Sequence, residues 1–273
     1  MRKQLTGLPR YIAAVETVET AKYRTFQFLD ASILPDNKLI AIALSNAFHF
    51  GVLSSGAHTT LALAVGNWLG VGNDPAYVQS RCFENFPFHD EDAGLTTALR
   101  ECIAHLAEQI DTHRRRVLDA RGSKANQQTA HPGLTLTGMY NVLEALRAER
   151  ELSTKEKTIH TQGLVGVLKE LHDELDAGVL QACGLTSGMT GSLTNDAMLT
   201  RLVTLKAQRA LEEKAGRIGW LRPEFQNPTV LSAASADQAL LNRELLPHAS
   251  IGLQADLALN SPLQAPAIAP AAI

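Results

Sequence analysis

Three groups of residues in this 273-residue chain have types and spacing that invite a chemical reading. Ser54, Ser55 and His58 put hydroxyls and an imidazole within about one helical turn, the raw material of a nucleophile and its base. No third group stands at a spacing that would orient the imidazole, and Ser54 lacks the glycine-flanked elbow that exposes a catalytic serine. His172, Asp173, Glu174 and Asp176 are metal-ligand types, but they bring a single imidazole. Helical spacing turns Asp173 and Asp176 to a face apart from His172, and His160 lies about three turns earlier. A salt-bridged, solvated helix face is the expectation there. The third group is the segment from Gly66 to Phe88, GNWLGVGNDPAYVQSRCFENFPF. Gly66, Gly70 and Gly72 let the backbone pass close to another molecule. Trp68, Asn73, Tyr77, Gln79 and Arg81 then offer stacking and hydrogen-bonding groups. Such an array suits reading something large and polar better than it suits breaking bonds.

The flanking pattern predicts what carries this segment. Arg10–Thr17, Arg24–Leu29 and Leu39–Leu44 have the β-branched and aromatic content of short strands, with Pro35-Asp36-Asn37 as a turn before the last. From Ala47 to Val65 apolar residues recur at helical spacing, interrupted near Ser54-Ser55-Gly56. Cys82–Phe86 is expected to return to strand, ended by Pro87. This first part is a small half-domain with a sheet edge to cover. The second part is helical. Leu95–Ala120 has one broad apolar face, Gly122–Gly133 is a polar loop, and Thr137 is placed to cap a helix carrying Met139 and Leu143. Ser153 with Glu156 matches a capping box opening one long helix to about Ala182, stopped by Gly184. A Gly/Ser/Thr connector then leads to a helix from Asp196 to about Lys214. Trp220–Phe225 is expected to dock its aromatic residues on the bundle.

Composition bounds the function. Charged residues are 19% and the net charge is −3, so bulk electrostatics does not advertise a nucleic-acid partner. Basic clusters are small: Lys22 with Arg24, Arg114 to Arg116, and Arg121 with Lys124. Cys82, Cys102 and Cys183 form neither a disulfide framework nor a metal pair, which fits a reducing, cytoplasmic setting. No apolar run approaches the roughly 18 residues of a membrane span, so no membrane partner is expected.

Several stretches together resemble a known family. RYIAAVETVETAKYRTFQFLD (Arg10–Asp30), LPDNKLIAIA (Leu34–Ala43), HFGVLSSGAH (His49–His58) and the run closing in FENFPF look like the distal half of the target-recognition domain of MmeI-like DNA methyltransferases. Members of that family are adenine-specific modification or restriction–modification proteins. Leu134–Leu180 and IGWLRPEFQNP (Ile218–Pro228) resemble its C-terminal helical region. The resemblance implies an α+β fold: a partial target-recognition domain at 1–90, a mainly helical domain at 91–228, and an Ala/Pro-rich tail at 229–273 expected to be disordered.

The resemblance also implies double-stranded DNA as partner. The candidate contacts are Lys22, Arg24, Ser55, His58, Trp68, Asn73, Tyr77, Gln79, Ser80, Arg81, Arg114 and Arg115. Arg suits guanine and Asn or Gln suits adenine in the major groove, while a helical arm carrying Arg114 and Arg115 would track phosphates. The chain departs from its relatives at Gly56 and Leu61, where they often carry Arg and Trp, and at Ala76, where they tend to carry a basic residue.

The family's chemical half is not legible here. Its methyltransferase domain holds S-adenosylmethionine on a glycine-rich loop and places an Asn-Pro-Pro-aromatic motif at the target adenine. In this sequence the only Asn-Pro, Asn227-Pro228, is followed by Thr229. GVGNDP lacks the strand and helix that should flank a cofactor loop, and no acidic cluster suggests a nuclease metal. The expectation is therefore a chain that selects a DNA site, with no catalytic residue, metal or cofactor of its own. Methyl transfer would fall to a separately encoded methyltransferase chain, or be lost in a truncated remnant. A competing expectation, favoured by weak basicity and long helices, is a helical protein-interaction module that never touches DNA.

Overall fold

The computed structural model describes residues 2–15, 23–34, 39–69, 74–88, 94–119, 134–185 and 195–227. Met1–Gln226 form one compact unit. The architecture is α+β, with small antiparallel sheets followed by helices. A short α1 (Arg2–Leu5) leads into β1 (Arg10–Val15), then β2 (Phe26–Asp30) and β3 (Leu39–Ile42). The sheet order is β2-β1-β3, antiparallel throughout, with Ile12 opposite both Phe28 and Ile42. β1 is central because Tyr11, Ile12, Ala13 and Ala14 are all buried. An uninterrupted apolar run has a covered surface on both faces of a sheet. Ile12 and Ala14 face the helices, while Tyr11 and Ala13 pack with Leu5 on the other side.

The outer edge of β2 would otherwise present free carbonyls. Its protection comes from α5 (Thr97–Asp119). Arg114 Nη2 donates to the Phe26 carbonyl at 2.7 Å, and Arg115 Nη2 donates to that of Phe28. Alternate residues of a strand point their hydrogen-bonding groups to the same edge, so two neighbouring arginines serve two alternate carbonyls. The expected edge is thus covered by side chains of the helical part.

α2 (Ala47–Ser54) lies between sheet and bundle. Phe50 stacks on Phe28 with ring centroids 4.6 Å apart. Its opposite side meets α5 at Gly51, where a Cβ would come within 2.9 Å of Ile103 Cγ2 and 3.1 Å of Ala107 Cβ. The helices can approach this closely only because position 51 has no side chain. Burying Phe48 and Phe50 contributes about 1.5–3 kcal/mol each.

The expected interruption of the first helix is real. Ser55 is extended, ends α2, and caps α3 (Gly56–Val65) by accepting from the His58 N–H. The bundle adds α6 (Leu136–Arg147), α7 (Thr154–Gln162), α8 (Val165–Ala182) and α9 (Asn195–Lys214). Its core runs through Ile103, Ile110, Met139, Leu168, Leu175 and Leu202.

Several expectations need correction. α6 is capped by Thr135, whose hydroxyl accepts from Gly138 N–H at 3.0 Å, so the cap lies two residues before Thr137. The Ser153–Glu156 capping box is present, but the long helix is two helices: Leu164, at φ 46°, breaks the ladder between α7 and α8. Cys82–Phe86 is no strand. Val78 starts the short α4 (Gln79–Cys82), and the rings after it serve an aromatic cluster, with Phe86 and Phe83 each within 5.4 Å of Phe88.

The Trp220–Phe225 segment docks chiefly through Arg222, which is buried and donates to the carbonyls of Gln4 and Thr6 beside the sheet. Leu221 packs on the sheet-side core, while Phe225, within α10 (Pro223–Gln226), is 39% exposed. The turn at 35–37, the loop at 122–133, most of the connector at 185–193 and the tail from 228 lie outside the described residues.

Candidate nucleic-acid interface

The segment singled out by its sequence emerges from α3 on a single glycine. Gly66 donates its N–H to the Ala62 carbonyl at 2.9 Å and closes the helix. A Cβ there would lie 2.5 Å from that same oxygen and 2.9 Å from the Ala76 oxygen, both backbone. The close approach matters because Ala76 belongs to the returning strand. β4 (Asn67–Leu69) pairs antiparallel with β5 (Asp74–Ala76), in the register Asn67 to Ala76, Trp68 to Pro75 and Leu69 to Asp74. The hairpin therefore springs directly from a helix end, and α4 follows its second strand.

This arrangement sorts the twelve candidate contacts. Trp68 is 51% exposed on the hairpin. Gln79, Ser80 and Arg81 are exposed on α4 beside it. Arg81 Nη1 donates to Asn67 Oδ1 at 2.7 Å, fixing the guanidinium against the first residue of the hairpin. Gln79 Nε2 contacts Glu84 at 3.4 Å. Asn85 Nδ2 donates to the Ser80 carbonyl at 2.7 Å, and Lys206 of α9 donates to Asn85 Oδ1 at 2.6 Å. Helix, hairpin and bundle thus hold one polar surface in register.

Four candidates lie beneath that surface. Ser55, His58, Tyr77 and Arg114 are all less than 5% exposed. The Tyr77 hydroxyl and His58 Nε2 are 3.1 Å apart, and the rings of Phe26 and Phe86 stand edge-on to His58. Burial pushes the His58 pKa down to about 4 and raises that of Tyr77, so both are neutral at physiological pH. Ser55 Oγ donates to the Val52 carbonyl at 2.7 Å. These groups have no free face to offer a base or phosphate in this conformation; they form the floor on which the hairpin rests.

Arg24 and Arg115 are intermediate cases. Arg24, partly buried, donates to the Pro75 carbonyl in β5, with its guanidinium 5.9 Å from the Tyr77 ring centroid. It ties the hairpin back to the sheet. Arg115 is half-exposed and is bonded to Asp111 at 2.7 Å as well as to β2. Lys22 and Asn73 lie outside the described residues.

Sequence reasoning missed Asn67, Asn85 and Lys206. Asn67 adjoins Trp68 and has the right chemistry, so its neighbourhood was a usable signal. Asn85 and Lys206 meet across 121 positions, a juxtaposition with no local signature.

The metal-like residues of α8 separate through their partners, although the i,i+4 spacing of His172 and Asp176 puts those two on one helix face. Asp173 and Asp176 both pair with Arg147, at 2.6 and 2.9 Å, and Asp173 also with Lys169. His172 is not solvated: it is buried, 2.8 Å from the Tyr140 hydroxyl, which also accepts from Arg114. Among the described residues no three His, Cys, Asp or Glu side chains are grouped to hold a metal ion. Cys82, Cys102 and Cys183 are free thiols. Among the described residues no helix is long and apolar enough to cross a membrane.

With this geometry in view, known proteins place the fold. No family model and no curated protein match the sequence. A solved structure does match: the type IIL restriction–modification enzyme MmeI in complex with DNA. The TM-score is 0.51 at 20% identity, over 74% of this chain. The likeness is one of fold, and it covers 21% of the MmeI chain.

Proposed function

We propose that this protein is a DNA sequence-recognition portion of an adenine-specific methyltransferase or restriction–modification system. The β4–β5 hairpin and α4 enter the major groove, Arg81 and Gln79 read base edges, and Trp68 packs on the sugar–base wall. The observation that carries this reading is the Arg81–Asn67 bond on an exposed hairpin, within a fold similar to an enzyme solved with DNA. A guanidinium already held in place loses less freedom when it takes a guanine. Ser80 and Lys206 flank it as phosphate partners, with Asn85 holding them in register.

Methyl transfer is assigned to a methyltransferase polypeptide that supplies S-adenosylmethionine and the Asn-Pro-Pro-aromatic motif. The glycine run of GVGNDP connects one strand to another. A cofactor loop runs from a strand into a helix, so these flanking strands favour a cofactor held elsewhere.

Fluorescence-anisotropy titration with duplex DNA at two salt concentrations tests this proposal, with and without the partner methyltransferase chain. Binding should weaken as salt rises, with a slope that reports the phosphates contacted. Absence of salt-dependent binding in every combination would refute it.

A further inference from the structure

A cleft of about 770 Å³ lies between α2, the turn after α4, the first turn of α5, the end of α9 and the segment from Arg217 to Leu221. That volume falls within the roughly 300–1,000 Å³ of small-molecule sites. His49, Phe88 and Trp220 give it flat aromatic walls. The His49 and Phe88 rings meet edge to face, with centroids 5.7 Å apart. Trp220 is partly buried, and among the described residues it has no ring partner and no acceptor for its indole N–H.

The cations of the cleft are not equivalent. Arg209 pairs with Glu212 at 2.6 Å, Arg217 lies near the same carboxylate, and Lys206 is bonded to Asn85. Arg100 has no carboxylate and no hydrogen-bond acceptor among the described residues. Its guanidinium lies over the Phe48 ring, 4.5 Å from the centroid, with its donors unused. His49 is close by. Burial, helped by Arg100, pushes its pKa down to about 4, so the imidazole is neutral. Its Nδ1 is enclosed without a partner, which leaves Nε2 as the nitrogen able to offer an N–H to a ligand. Polar groups set this deep are nearly always bonded, and one anionic group would take both donors.

The rim adds a restriction. Glu84 and Glu213 are exposed there. Their carboxylates repel a second phosphate and accept from hydroxyls. A flat ring, a hydroxyl-bearing spacer and a single phosphate satisfy all three regions.

We propose that this cleft binds a nucleoside monophosphate, with its phosphate on Arg100 and His49, its base on Trp220 and Phe88, and its sugar hydroxyls toward Glu84 and Glu213. Neither Arg81 nor Trp68 takes part, so this site and the DNA-reading surface can fail separately. A free nucleotide and the 5′-phosphorylated end of a single strand share the required chemistry.

Isothermal titration calorimetry of the full chain tests the proposal with AMP, GMP, adenosine, inorganic phosphate and a short 5′-phosphorylated oligonucleotide. AMP or GMP should bind with a dissociation constant on the order of 10 µM, and adenosine and inorganic phosphate at least about tenfold more weakly. Arg100→Gln should bring AMP to the adenosine level and leave adenosine unchanged, a selective loss that misfolding would not give. Arg100→Lys should restore part of it. Trp220→Leu should weaken AMP and adenosine alike. Binding by the oligonucleotide alone, lost in Arg100→Gln and Trp220→Leu, would uphold the site and name a strand end as its source. No binding by AMP, GMP or the oligonucleotide up to about 1 mM, adenosine as tight as AMP, or affinities unchanged in both substitutions would overturn it.

Discussion

The Asp176 carboxylate, on α8, accepts the backbone N–H of Gly56 at 2.7 Å, capping the first turn of α3 from an element 120 residues away. Its other oxygen takes the Arg147 guanidinium at 2.9 Å. A negative group at a helix N-terminus satisfies an orphan donor and complements the helix dipole. The helix so held is the one that ends at Gly66 and launches the hairpin. The bundle thereby fixes the direction in which the β4–β5 hairpin points.

Asp176→Ala should lower unfolding free energy by about 1.5–3 kcal/mol, the worth of a charge-assisted hydrogen bond with an unserved donor left behind. Asp176→Asn keeps an acceptor and should cost less. Urea denaturation measures both. Equal losses would show that charge, rather than the hydrogen bond to Gly56, is what holds α3.

Acid should destabilise the protein before its surface carboxylates titrate. Burial is the main cause that pushes the pKa of His172 down to about 3 and that of His58 to about 4, from the ordinary 6.5. Between those values the unfolded chain binds protons that the folded one refuses. Stability is therefore full above about pH 6.5 and drains as pH falls toward 4, by about 3 kcal/mol for His58 alone. Urea midpoints measured across this window should fall steeply. His49 is pushed down to about 4 in the same way, and His172→Gln, which removes one of these titrations, should make the fall shallower.

Arg114 and Arg115 are neighbours with opposite expectations. Arg114→Ala strips buried acceptors at Phe26 and Tyr140 and should cost about 3 kcal/mol or more. Arg115→Ala loses a half-exposed ion pair and one edge bond, at a cost of about 1 kcal/mol. Chemical denaturation separates them. Were Arg114 a phosphate contact, its loss would instead lower the salt slope of DNA binding by about one and leave stability intact.

Gly66→Ala drives a methyl group into two backbone carbonyls. Overpacking of this kind costs about 1–3 kcal/mol, and here it also pushes β5 away from the end of α3. DNA affinity should fall at least about tenfold. Gly219→Ala, with nothing within 4 Å of its added carbon, serves as the neutral control.

Local chemistry made the fold legible where it is self-contained. β1, β2 and β3 follow from their apolar content, the break at Ser55 from its Ser-Ser-Gly, and the Ser153–Glu156 box from its own spacing. The α6 cap sits at Thr135 and not Thr137 because two threonines two residues apart offer the same local signal, and the break at Leu164 falls on a residue type that does not announce a left-handed conformation. The aromatic content of Cys82–Phe86 suggested a strand, yet those rings were selected to surround His58 and Phe88.

The candidate surface divides in the same way. Residue type alone cannot separate Arg81, held outward by Asn67, from Arg114, turned inward to Phe26. What decides is a partner 14 positions away in one case and 88 in the other. Lys206 was invisible because α9 meets the turn after α4 only in three dimensions.

The account rests on Arg81, on α4 beside the hairpin, reading a base. Selection of bound duplexes from a random-sequence pool, followed by sequencing, tests this directly, on wild type and on Arg81→Ala with the partner methyltransferase chain present. The account predicts one enriched motif for wild type and, for the variant, the same motif with a single guanine position relaxed by about 1–3 kcal/mol of discrimination. An identical motif from both proteins, or no enriched sequence from either, would contradict it.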